Sequence, residues 1–90
     1  MATQGTTTID FGSGATDTQS TVVAASITGG QLVEAWIFPT ATASNTADNH
    51  WVDDIKVIAG NVQAGVGFTI YAHCKTGLAH GTFTVGYVFN

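Results

Sequence analysis

Apolar and polar residues alternate most regularly in the last third of the chain, through Gly67-Phe68-Thr69-Ile70-Tyr71-Ala72-His73-Cys74 and Gly81-Thr82-Phe83-Thr84-Val85-Gly86-Tyr87-Val88-Phe89. Period-two alternation of β-branched and aromatic residues is the signature of half-buried strands. With Thr76-Gly77 as a two-residue turn, one antiparallel register pairs Cys74 with Ala79, Ala72 with Gly81, Ile70 with Phe83 and Phe68 with Val85, a wholly apolar row. The same register sets His73 against His80, Tyr71 against Thr82 and Thr69 against Thr84, a mostly polar row. A hairpin with a dry and a wet face is therefore the expectation for this region.

Earlier segments follow the same logic. Met1 to Thr8 is small and polar and is expected to be a flexible arm, with Ile9-Asp10-Phe11 as a short first strand. Gly12-Ser13-Gly14 marks a loop, and Ser20 to Ile27 reads as a second strand, joined through Gly29-Gly30 to a third over Gln31 to Phe38. In that third strand Val33, Ala35 and Ile37 share one face, and Leu32, Glu34, Trp36 and Phe38 the other. Neither face is plainly polar, so both are expected to be covered. Pro39 ends it, and Thr40 to Asn49, without periodicity, reads as an exposed loop. Alternation resumes from Trp51 to Ala59, Gly60-Asn61 marks a break, and the glycines up to Gly67 suit a turn with a bulge. The sum is about six to seven strands in an all-β fold, a compact antiparallel β-sandwich with the jelly roll as one form of it. Residues 1–90 are expected to make a single β domain, with the arm at about 1–8.

Composition changes the picture in one respect. Only 9% of the residues are charged, against roughly 25% in an ordinary soluble domain. With 44% apolar residues, part of the surface is expected to be covered by other subunits, in a homo-oligomer with a trimer favoured. The interface candidates are the aromatics Trp36, Phe38, Trp51, Tyr87 and Phe89. Lys56 and Lys75 are the only fixed cations and the net charge is -4, which excludes a surface that tracks nucleic-acid phosphates. No apolar run is long enough to span a bilayer and the N-terminal residues do not resemble a leader, so a soluble chain with no membrane partner is expected. Cys74 falls on the dry row and reads as a small buried hydrophobe.

Candidate chemistry is sparse. Asp48, His50, Asp53 and Asp54 could hold a cation, but they lack the glycine and terminal glutamate of a calcium loop, and solvated acids that cap turns are the better account. His73 and His80, roughly 5 Å apart at Cβ if directly opposed, could share a metal only with a third ligand that the hairpin does not supply. Gly12-Ser13-Gly14 lacks the G-x-S-x-G context, and no acid pair is singled out by Glu34, Asp53 and Asp54. The expectation is a protein that is not an enzyme and needs no cofactor or metal. Trp36, Trp51, Tyr71 and Tyr87 could also make a sugar-stacking platform, though core or subunit contact is the commoner use of such residues.

Thr8-Ile9-Asp10-Phe11-Gly12, Val33-Glu34-Ala35-Trp36-Ile37, Ala47-Asp48-Asn49-His50, the run Ala59 to Ala72 and the terminal Gly81 to Phe89 resemble a group of short proteins encoded in tailed-bacteriophage genomes, over nearly the whole chain. The terminal Gly86-Tyr87-Val88-Phe89 stands where a basic residue and tryptophans are usual in that group. The resemblance implies a small β-sandwich structural protein of the virion, made in the bacterial host cytoplasm. The leading expectation is a capsid decoration (cement) protein whose partners are the phage major capsid protein or other virion proteins. The alternative is a tail or head-fibre module that binds host surface glycan.

Overall fold

The computed structural model describes residues 3–75 and 77–90. Among them are six strands and one short helix: β1 (Thr3–Asp10), β2 (Asp17–Val23), β3 (Val33–Ile37), α1 (Ala47–Val52), β4 (Ile55–Gln63), β5 (Gly67–Cys74) and β6 (Thr82–Phe89). They form two three-stranded sheets of order β1-β6-β3 and β2-β5-β4, and every pairing is antiparallel. The fold is the expected all-β sandwich, smaller than an eight-stranded jelly roll.

The alternation in β5 and β6 sorts side chains as expected, but the two strands are not partners. Each is the central strand of a different sheet. Phe68, Ile70, Ala72 and Cys74 of β5 and Phe83, Val85 and Phe89 of β6 are buried in one core, with Ile9, Phe11, Val22, Ile27, Ala35 and Ala79. The dry rows therefore meet face to face across the sandwich: the Phe68 ring stands edge-on to Tyr87 at 5.4 Å and to Phe89 at 5.9 Å between centroids. Parity along a strand fixes which face is buried and carries no information on which strand lies alongside. Thr76, half of the expected turn, lies outside the described residues.

The same correction applies to the second and third strands, which belong to opposite sheets, so the Gly29-Gly30 segment crosses between sheets. The arm expected over residues 1–8 is strand from Thr3, paired with β6 from Thr3 opposite Phe89 to Asp10 opposite Thr82. Its threonines are good strand formers, and what they lacked in the sequence was an apolar face to announce them. The break at Gly60-Asn61 is instead a bulge within β4, where the register shifts and Asn61 takes φ 52. Asn61 Nδ2 then donates to Thr69 Oγ1 at 3.4 Å, and Thr69, on the row expected to be wet, is buried.

One glycine is indispensable. Gly67, at φ 150, sits where β5 leaves the turn after β4, and a Cβ there would run into the carbonyl of Val22 on β2. Only glycine allows both the backbone angle and the approach.

A surrogate strand beside β6

β3 ends at Ile37, before Pro39, leaving the first half of β6 without a strand on that side. The segment that follows, expected to be an exposed loop, supplies the missing partners. The Phe38 amide donates to the carbonyl of Thr84 at 3.0 Å. Thr42 Oγ1 and Asn45 Nδ2 each donate to the carbonyl of Thr82 at 2.8 Å, and Asn45 Nδ2 also reaches the carbonyl of His80 at 2.8 Å. Thr84 Oγ1 donates to the carbonyl of Thr40 at 3.1 Å.

His50 completes the row from α1. Thr46 caps this helix, its hydroxyl accepting from the Asn49 amide at 3.2 Å, and six residues are too few for a helical period to show in the sequence. The helix turns His50 inward, so Trp51 is on a helix and not on the strand expected there, which begins at Ile55. The buried imidazole accepts the Thr84 amide hydrogen at Nε2, 2.8 Å away, and its Nδ1 lies 2.7 Å from the carbonyl of Thr46. A backbone amide can only donate and a carbonyl only accept, so the ring is the Nδ1–H tautomer. It also packs on the Phe83 ring at 5.0 Å.

Candidate interaction surface

Away from Thr84, which the Thr40 segment covers, no element of the described residues lies over the outer face of the β1-β6-β3 sheet. Its rows run Gln4–Val88–Glu34 and Thr6–Gly86–Trp36 across the three strands, with Phe38 beyond the end of β3 beside Thr84. Alternation along β3 sends Leu32, Glu34, Trp36 and Phe38 outward, and Trp36 and Phe38 are 42% and 44% exposed. This face was expected to be covered; within one chain it is open.

Trp36 is held in a defined position. A Cβ at Gly86 would lie 2.5 Å from the indole Nε1 and 2.6 Å from Cε2, so the indole rests directly on the glycine backbone. Gly86 is buried by that ring. Trp36 and Phe38 wall a groove of about 330 Å³ with Gln4, Thr6 and Tyr87, over a floor formed by Gly5 and Gly86. None of these lining residues is charged. A surface so made can be covered without stripping water from ions, the costly part of burying a polar interface.

The other expected interface residues are placed differently. Trp51 is 83% exposed on α1 and does not line the groove. Tyr87 points inward to Phe68 and lines only the groove's end, while Phe89 is 3% exposed and belongs to the core. Their odd positions on β6 put them on the face of Phe83 and Val85, an assignment already implicit in the alternation.

The candidate ligand clusters come apart as well. Both nitrogens of His50 are engaged, and no group of three or more metal-ligating side chains occurs among the described residues. His73 is opposite Asp17 on one side and Lys56 on the other, while His80 lies beside Gly14, outside the strands. Cys74 is buried, as its row requires. No helix among the described residues is long and apolar enough to cross a membrane.

Compared with known proteins, the chain matches no family model, no curated protein and no solved structure.

Proposed function

We propose that this protein is a structural component of a tailed-phage particle, a decoration or cement protein that binds across shell subunits through the outer face of the β1-β6-β3 sheet. The phage setting rests on the sequence resemblance over nearly the whole chain. The observation that carries the docking role is the Trp36 indole seated on Gly86 beside Phe38, both aromatics partly exposed over a groove whose lining residues carry no charge. Held side chains of this kind make good anchors, because little rotamer freedom is left to lose on binding.

In this role the protein works by occupancy and as a homo-oligomer, with three copies favoured around a local symmetry axis of the shell. Each aromatic buried at a seam would contribute roughly 2 kcal/mol or more if it acts as a hot spot, and repetition over the shell multiplies the gain. The test is deletion from the particle. Shells without the protein should assemble and adsorb to host cells normally but burst at lower temperature or milder osmotic shock. Unchanged robustness with lost adsorption would replace this reading by that of a tail or head-fibre module for host glycan.

A further inference from the structure

The opposite face of the molecule, outside the β2-β5-β4 sheet, has a different chemistry. Here the register sets Asp17, His73 and Lys56 abreast on three neighbouring strands, and Gln19, Tyr71 and Ile58 abreast in the next outward row. These six side chains surround a groove of about 380 Å³, within the range of pockets that hold small ligands. Tyr71 and Ile58 give it an apolar floor, 38% and 57% exposed. Asp17, its Oδ1 already accepting from Thr16 Oγ1 at 3.1 Å, is an acceptor at one end. Lys56, one of only two fixed cations in a chain of net charge -4, is a donor at the other end. Two strand spacings separate these ends, roughly 10 Å.

We infer that this groove is a binding site for an acidic saccharide. A sugar ring offers an apolar face that stacks on a tyrosine, and hydroxyl groups that hydrogen-bond a carboxylate and an amide. Tyr71 supplies the first, Asp17 and Gln19 the second. The carboxylate of a uronic or sialic acid residue is met by the Lys56 ammonium, with the His73 imidazole between the two ends as a further hydrogen-bonding group. A neutral sugar would leave Lys56 unused, and an apolar peptide would bury Asp17 and Lys56 without partners. The site is independent of the docking role: the outer faces of a two-sheet sandwich point in opposite directions, so a copy seated through Trp36 still presents Tyr71 to solvent.

The test titrates the full chain with trigalacturonate and with sialyllactose, followed by backbone amide NMR shifts, alongside the methyl ester of trigalacturonate as the uncharged control. Binding should shift residues around 17–19, 56–58 and 71–73, and the acid should bind at least tenfold more tightly than its ester. Tyr71→Ala should weaken all binding by about tenfold or more, whereas Lys56→Gln should bring the acid down to the affinity of the ester. Trp36→Ala should leave every affinity unchanged, which separates this site from the docking face. Absence of shifts with both acids at about 10 mM, equal affinity for acid and ester, or shifts confined to the Trp36 face would each overturn the assignment.

Discussion

The imidazole Nε2 of His50 accepts the backbone amide hydrogen of Thr84 at 2.8 Å, the hydrogen bond that a neighbouring strand would have provided. A side chain thus stands in for a carbonyl of the sheet, and the fold depends on it. Replacing His50 by alanine leaves the buried Thr84 amide unpaired, which costs about 1–3 kcal/mol, and opens a cavity beside Phe83. Denaturant unfolding should show His50→Ala losing roughly 2–4 kcal/mol, while Asp54→Ala stays within about 0.5. Nitrogen NMR shifts should report the Nδ1–H tautomer, and added calcium or zinc should leave Tm unmoved.

Strand pairing can be read by cross-linking. Gln19 and Tyr71 are directly opposed on the outer face of neighbouring strands, at a Cα separation that accommodates a disulfide. Gln19→Cys with Tyr71→Cys should oxidise readily within one chain. His73→Cys with His80→Cys, neighbours only if β5 and β6 formed a hairpin, should not.

Two glycines should separate folding from binding. Gly67→Ala sets a methyl group against the Val22 carbonyl at an angle that L residues rarely adopt, and a loss of about 3 kcal/mol or more is expected from calorimetry. Gly86→Ala sets a methyl group against the Trp36 indole, a side chain and not backbone, so the cost should be about 1–3 kcal/mol. Its clearer effect should be on the indole: in a Trp51→Phe background the Trp36 emission should shift, and occupancy on the shell should fall.

Self-association is the expectation that the sparse charge and the open aromatic face support. Sedimentation at micromolar concentration should find an oligomer, with a trimer favoured. Trp36→Asp should weaken attachment to the shell, where Trp51→Ala should not, because Trp51 stands outside the groove. A chain that sediments as a clean monomer would count against the assembly reading.

The class of fold was legible because Phe68, Ile70, Phe83 and Val85 alternate with polar residues at strand period, and all four are fully buried. Partnership was not legible. Two amphipathic strands facing each other across a core have the same pattern as two lying side by side, and the choice is made by third parties such as the threonines of β1. His50 was read only as a possible ligand, since nothing local marks an imidazole as a substitute for a strand. Trp36 and Phe38 were singled out as aromatics, and both lie partly exposed on the outer face of their sheet. Tyr87 and Phe89 were chosen for aromaticity, although parity set them on the face of Phe83 and Val85. The Tyr71 groove could have been found from the sequence only if β2, β5 and β4 had been known to be neighbours.

The sheet order has a kinetic consequence. β1 pairs only with β6, and β3 pairs only with β6, so the sheet that carries Trp36 has no central strand until β6, the last of the six described strands, has been synthesised. Only β4 and β5 are joined by a short turn and can pair early. Non-local pairing of this kind places folding in the millisecond-to-second range. During translation the threonine-rich β1 waits unpaired, and its polar run from Thr3 to Thr8, which hid that part of the strand in the sequence, is also what keeps it from aggregating before β6 arrives.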